Sequence, residues 1–302
     1  MSISVIIPTY NPSHERLQKV IDSLKAQTES KDNWECILID NNSDTPVERT
    51  VILGENFKIV TEPKQGLTYA RVKGVLESRH DLILMVDDDN ILDNNYLENA
   101  LKIFNTYKNL GAIGGKSFPL FEAPPKDFVS NYYSLLALRD LGDEIKIESY
   151  NNCYPEYAPI GAGMALRKVA LSSYLKKIAD GRSSLSDRKG KSLSSSGDND
   201  IVLEILKSGW DVGYFPALKL QHIIPENRTT KEYLARINFD IQKSWVHFLL
   251  LHHLCPWNKI SRGTLPLRKA KAWFTIKAWK SDQGYIDWKG ICGRFEGLST
   301  NA

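Results

Sequence analysis

Leu82-Ile83-Leu84-Met85-Val86-Asp87-Asp88-Asp89-Asn90 is an unbroken apolar run that ends abruptly in three carboxylates. Consecutive apolar residues without polar gaps suit a strand covered on both faces, the pattern of a parallel or mostly parallel sheet. Ligands of such sheets gather beyond the carboxyl ends of the strands. Three adjacent acids repel one another, and a hard divalent cation relieves that repulsion while sharing its shell with water and substrate phosphates. Taken alone, the triplet reads equally well as an acidic turn leading into a helix that starts at Asn94 or Asn95.

Upstream, Ser4 to Pro8 forms a first strand and Thr9-Tyr10-Asn11-Pro12 the turn after it, and Leu17, Val20, Ile21 and Leu24 then recur at helical spacing. Glu35 to Ile39 is a second strand running into Asp40-Asn41-Asn42-Ser43-Asp44, a loop rich in turn formers. Phe57 to Val60 is a third, and a helix from Thr68 to Glu77 leads into the Leu82 strand. Strands alternating with helices imply right-handed crossovers and a doubly wound sheet. The strand ends at Thr9 to Asn11, Asp40 to Asn42 and Asp87 to Asp89 then share one edge and can build one site.

Pro8-Thr9-Tyr10-Asn11, Asp40-Asn41-Asn42-Ser43, Gly66-Leu67-Thr68-Tyr69-Ala70-Arg71 and Asp87-Asp88-Asp89 resemble, in that order, the motifs of family 2 inverting nucleotide-sugar glycosyltransferases with the GT-A fold. The resemblance implies an α/β fold, a Rossmann-like doubly wound mixed sheet flanked by helices. It assigns Pro8, Thr9, Tyr10, Asn11, Asp40, Asn42, Arg71, Asp87 and Asp88 to the nucleotide. It makes Asp87 to Asp89 the D-x-D motif, with Asp89 binding Mg2+ or Mn2+ on the diphosphate. Val72 stands where the family's A-R-N pattern has Asn.

The second half resembles the family less densely. Gly161, Ala162 and Gly163, within Ala158 to Arg167, match a glycine-bearing segment lining the donor-sugar and acceptor side, where glycine lets backbone approach a sugar; a β-bulge is the competing reading. Gly197-Asp198-Asn199-Asp200 resembles the E-D-x-E segment, which makes Asp198 the catalytic base and Asp200 the last acid, with Gly197 in place of Glu. An Asp at a helix start is also a common cap. His222, at the end of the late strand Leu218 to His222, sits where some relatives complete the metal shell, although a lone strand-end His is more often structural. Asp180 to Gly197 is rich in Ser, Gly, Lys and Arg and is expected to be a mobile loop.

The expected division is a GT-A domain over 1–230, with a nucleotide-binding half to about 117 and an acceptor half over 118–230, then a helical extension over 231–302. At 42% hydrophobic and 25% charged residues the chain can bury a core, and a net charge of +3 gives no ground for a nucleic-acid partner. From Cys255 onward there are nine Lys or Arg against three Asp or Glu, so the surplus is confined to the tail. Trp257, Trp273, Trp279 and Trp288 lie in the same stretch, a mixture that suits peripheral contact with an anionic membrane surface. On a helical wheel, however, Arg268, Lys269, Lys271, Lys277 and Lys280 scatter among Leu267, Trp273, Ile276 and Trp279, which fits an ordinary packed helix. Four cysteines without C-x-x-C spacing read as reduced thiols. With no leader evident at the N-terminus, they point to a cytoplasmic protein, with peripheral contact at the inner face of the membrane through the tail.

The resemblance, which covers about residues 3 to 230, implies metal-dependent, inverting transfer of a sugar from a nucleoside diphosphate sugar to a hydroxyl of a glycan or lipid-linked acceptor in polysaccharide or cell-surface glycan synthesis. Two alternatives stand beside it. A nucleotidyltransferase would more typically carry a glycine-rich Lys/Arg loop after the first strand, where this chain has Pro8-Thr9-Tyr10-Asn11. A catalytically impaired nucleotide-sugar-binding protein is suggested by Gly197.

Overall fold

A computed structural model of the chain describes residues 1–181 and 197–300, so most of the expected mobile loop lies outside the described residues. The chain opens with β1 (Ile3–Thr9), α1 (His14–Lys25), β2 (Trp34–Asp40), β3 (Phe57–Thr61), α2 (Leu67–Glu77) and β4 (Leu82–Met85). These strands lie parallel in the order β3-β2-β1-β4. β5 (Asn90–Leu92), α3 (Tyr96–Thr106), β6 (Leu110–Phe121), β7 (Lys146–Glu148), β8 (Met164–Arg167), α4 (Ser172–Ala179), α5 (Gly197–Lys207) and β9 (Asp211–Ile224) follow. They extend the sheet as β8-β6-β9-β5, with β7 also on β9; β8 runs antiparallel to β4, and β9 antiparallel to β5. Among the described residues this is one nine-stranded mixed sheet, the α/β class the sequence predicts.

The continuous apolar runs arise because both faces of the sheet are covered. Ile3, Val5, Ile7, Leu38, Leu82 and Leu84 pack on one side with Leu17, Val20, Ile21 and Leu24 of α1 and with Leu97 and Phe104 of α3. Ile6, Ile37, Ile39, Ile83 and Met85 face the other side, against Ala70 and Val75 of α2 and Ile201, Val202 and Ile205 of α5. Each fully buried side chain of this kind contributes about 1.5–3 kcal/mol. The strand ends that carry polar residues are thereby held by rigid, two-sided packing.

The chain divides into two compact units. One holds residues 1–120, 137–181 and 198–223; the other holds 121–136 and 224–300. Residues 121–136, expected within the acceptor half, therefore group with the C-terminal helices. In this second unit α6 (Lys231–Leu251) packs along α8 (Asp282–Ser299), and α7 (Leu265–Thr275) lies between them in sequence. Asn238 of α6 donates to the Ile286 carbonyl of α8 at 3.0 Å. The Tyr132 hydroxyl donates to Asp287 at 2.8 Å and to the Gln283 carbonyl at 3.0 Å, tying 121–136 to α8. No helix of the described residues is long and apolar enough to cross a membrane.

Candidate active site

Adjacent parallel strands bring their polar ends together. In the β1:β2 register Thr9 lies opposite Asp40, and the Thr9 hydroxyl donates to Asp88 Oδ2 at 2.5 Å. Asp40 is buried and accepts the backbone amides of Ser43 at 2.9 Å and Val47 at 3.2 Å, so its carboxylate also shapes the loop after β2. Asn11 and Asn42 both adopt left-handed backbone, at φ 47° and 63°, a conformation asparagine tolerates better than most residues. Asn11 pairs side chain to side chain with Asp44 at 2.9 Å and donates its amide to Ser43 Oγ at 2.9 Å, so the loops after β1 and β2 are fastened to each other. Pro8 is buried within β1, whereas Tyr10 is exposed beyond it. Asn41, not singled out from sequence, donates to the carbonyls of Glu62 and Lys64 and accepts the Gly66 amide at 2.8 Å, fixing the loop that enters α2.

The acidic triplet forms a turn between β4 and β5, closed by the Asn90 amide donating to the Asp87 carbonyl at 3.1 Å. Asp89 is buried there and accepts from Asn90 Nδ2 at 3.2 Å. The β5:β9 register sets Asn90 opposite His222, which places His222 Nε2 at 3.3 Å from Asp89 Oδ2. A carboxylate oxygen and an imidazole nitrogen converge here in a nearly buried turn, with the half-exposed Asp87 two residues away. This donor set fits a divalent ion.

Asp198 comes from the first turn of α5 and pairs with Nη1 of the buried Arg71 in α2; Arg71 Nη2 lies 4.0 Å from Asp87. One guanidinium thus reaches an acid of the turn after β4 and an acid of α5. The Asp198 carboxylate lies flat against Gly161: a Cβ built there would fall 2.1 Å from Asp198 Oδ2. Only glycine permits that approach. Ala162 is buried beside it. Gly163, at φ 71°, accepts the Tyr96 hydroxyl at 2.5 Å. Tyr154 donates to Asn199 Oδ1 at 2.9 Å. Burial foremost, then the charge of Asp198, pushes the Tyr154 phenol well above its ordinary pKa, so it stays a protonated donor. Asp200 is buried and bonded to Lys177 Nζ at 2.6 Å, and Lys177 also meets Glu204 at 3.1 Å. Tyr96, Tyr154 and Lys177 carry no motif, so sequence reading misses them. The site combines a solvent-accessible carboxylate on a guanidinium with an acidic, histidine-backed turn, groups suited to moving a proton next to a bound polyanion.

The family model described as Glycosyl transferase family 2 matches residues 4–155. The glucosyl-dolichyl phosphate glucuronosyltransferase of Haloferax volcanii is 22% identical over 246 residues, covering 79% of this chain and 74% of that protein. Glycosyltransferase AglE of the same organism is 30% identical over 92 residues, covering 29% of this chain and 30% of that protein. Among solved structures, S. aureus TarS 1–349 superposes with a TM-score of 0.51 at 14% identity, over 98% of this chain and 89% of that one; its complex with UDP gives 0.50, with the same identity and coverage. The family match spans half of the 302 residues and takes in all four parallel strands and the acidic turn, and so the chain belongs to glycosyl transferase family 2, a glycosyltransferase of GT-A fold.

Proposed function

We propose that the protein moves a sugar, with inversion, from a nucleoside diphosphate sugar to a hydroxyl of a glycan or lipid-linked acceptor, aided by Mg2+ or Mn2+. The observation that carries this reading is Asp198 paired with Arg71 beside the Asp87 to Asp89 turn. The Haloferax relative is named for a glucosyl-dolichyl phosphate, which supports a lipid-linked acceptor. The UDP bound to TarS makes UDP the first nucleotide to try.

In this reading the loops after β1 and β2, fastened through Asn11, Asp44 and Asp40, cradle the nucleoside, with Tyr10 exposed beside them and Asn42 contributing its left-handed turn. Asp89 and His222 would hold the divalent ion, with Asp87 two residues from Asp89 in the same turn. When bound, the ion supplies positive charge against the growing charge of the diphosphate leaving group. Asp198 accepts the acceptor hydroxyl's proton, and Gly161, whose bare backbone lets that carboxylate lie against it, lines the donor-sugar and acceptor side together with Ala162 and Gly163. An arriving diphosphate competes with Asp198 for Arg71, which frees the carboxylate for the proton. One carboxylate acting as base, without a second as nucleophile, is what a single inverting displacement needs, by the logic that separates inverting from retaining hydrolases.

The deciding experiment is a thermal-shift screen of nucleoside diphosphates and their sugars with and without Mn2+, followed by the anomeric configuration of the product. A ligand of the native state raises the melting temperature. The reading expects a metal-dependent rise with one nucleoside diphosphate and an inverted product; no stabilisation by any nucleotide, or a retained anomer, overturns it.

A further inference from the structure

Not one residue of α7 is buried. Its inner side is nevertheless anchored: Trp273 meets Trp288 of α8 edge to face at 4.9 Å between centroids, the Trp288 indole donates to the Lys269 carbonyl at 2.9 Å, and Lys269 pairs with Glu296 at 2.5 Å. These contacts fix the rotation of the helix. Leu267 and Phe274, two turns apart on the opposite face, are 75% and 67% exposed, and Trp279, 52% exposed, stands 5.7 Å from Phe274. Arg268 and Lys271 lie beside them on α7, and Lys277 and Lys280 flank Trp279 in the segment after it; all four are exposed, and no acidic residue occurs between Lys259 and Ser281. The wheel looks unsegregated because it runs past the end of the helix at Thr275, so that Ile276, Lys277, Trp279 and Lys280 do not lie on it, and because Trp273 is spent on α8 while Phe274 is turned outward.

We infer that this outer face docks on a membrane surface of anionic phospholipid, with Leu267, Phe274 and Trp279 set into the boundary between headgroups and acyl chains and the four cations over the lipid phosphates. Three large apolar side chains exposed side by side are unusual unless covered by something. The charge chooses the cover: a second copy of this face would bring the same cations against each other, whereas an anionic bilayer complements them. Leucine and aromatic residues within a basic surround are the composition of an interfacial helix, and Trp is favoured at headgroup depth. Each cation near such a surface is worth roughly fivefold in partitioning. The inference stands apart from the donor site, although a lipid-linked acceptor would give it a purpose.

The test is sedimentation of the full chain with vesicles of phosphatidylcholine alone and of phosphatidylcholine mixed with phosphatidylglycerol. Expected is binding to the mixed vesicles that weakens as salt rises. Lys271→Gln with Lys277→Gln should lower it on the order of 25-fold, and Leu267→Ser with Phe274→Ser should lower it at least tenfold, with the melting temperature of each variant near the parent's. Ile52→Ser, at an exposed apolar residue in the other unit, should change nothing. Equal partitioning on both vesicle types, or parent-like partitioning of the Leu267/Phe274 variant, overturns the inference. So does a dimer in sedimentation velocity that this variant abolishes. Donor affinity measured in parallel separates the two proposals, since lost lipid binding with intact nucleotide binding leaves glycosyl transfer standing.

Discussion

Gly161→Ala tests the role of Asp198 without touching its chemistry. The added Cβ would lie 2.1 Å from Asp198 Oδ2, 2.6 Å from Cγ and 2.8 Å from Oδ1, where ordinary contact begins near 3.4 Å. The carboxylate must therefore retreat by more than about 1 Å, or the segment around Gly161 must shift as far; overpacking of this kind costs about 1–3 kcal/mol of stability. Asp198 has a short side chain held by Arg71, so retreat disturbs the ion pair as well. Misplacing a reacting group by 1 Å costs up to about 100-fold in rate. Steady-state transfer assays should show kcat reduced by roughly that factor, with donor Kd from calorimetry near the parent value. Asp198→Asn, which keeps the shape and loses the basicity, should lower kcat by roughly 10² to 10⁴. Parent-like turnover in Gly161→Ala, at a melting temperature showing that it folds, would refute the assignment of the proton to Asp198 in its present position.

Asp89→Ala should abolish the metal-dependent part of nucleoside diphosphate affinity in calorimetry; affinity that still responds to Mn2+ removes Asp89 as a ligand. Asp40→Ala should weaken nucleoside monophosphate binding without metal by about 1.5–3 kcal/mol, tenfold to over a hundredfold in Kd, and an unchanged Kd would leave Asp40 with its loop alone. Asp200→Asn leaves Lys177 short of a buried partner and should cost about 3 kcal/mol of stability while sparing most of the turnover; a stable but inactive variant would move the base to Asp200. Glu35 is buried, which by itself raises its pKa, but the Arg79 amide, the Ser4 hydroxyl and the Arg79 guanidinium together hold it below the ordinary 4.5. Its contribution to stability is therefore present above that value and is lost as pH falls through the folded-state pKa. Melting temperature should accordingly drop less steeply on acidification in Glu35→Gln than in the parent, and parallel curves would contradict this.

Elements buried on both faces were the legible ones. β1, β2 and β4 read as unbroken apolar runs and match within a residue or two, and the helix before β4 begins at Leu67 rather than Thr68. β5 is a different case: Asn90, Ile91 and Leu92 look like the tail of an acidic turn, and they form a strand only because β9 pairs with them. That pairing, invisible in a linear sequence, is what delivers His222 to Asp89. The resemblance pointed separately to Arg71 and Asp198, yet their pairing depends on α2 and α5 packing on the same face of the sheet. Lys177 opposite Asp200 left no signal, because one lysine on an amphipathic helix is indistinguishable from a solvated one. The tail misled in another way, since a wheel drawn through Lys280 does not see that the helix stops at Thr275, nor which side of it already has a partner.

Arg71 lies inside the region by which the family is recognised, whereas Asp198 lies beyond its end at residue 155. The two are 127 residues apart in the chain. Its planar fork addresses two directions at once, which the single ammonium of a lysine does not do. A substitution in the recognised half can therefore be felt by an acid in the unrecognised half, and the two stretches of sequence are not free to drift independently. Arg71 is the hinge of that shared history: relatives that change the acid opposite it should also have changed the residue at position 71.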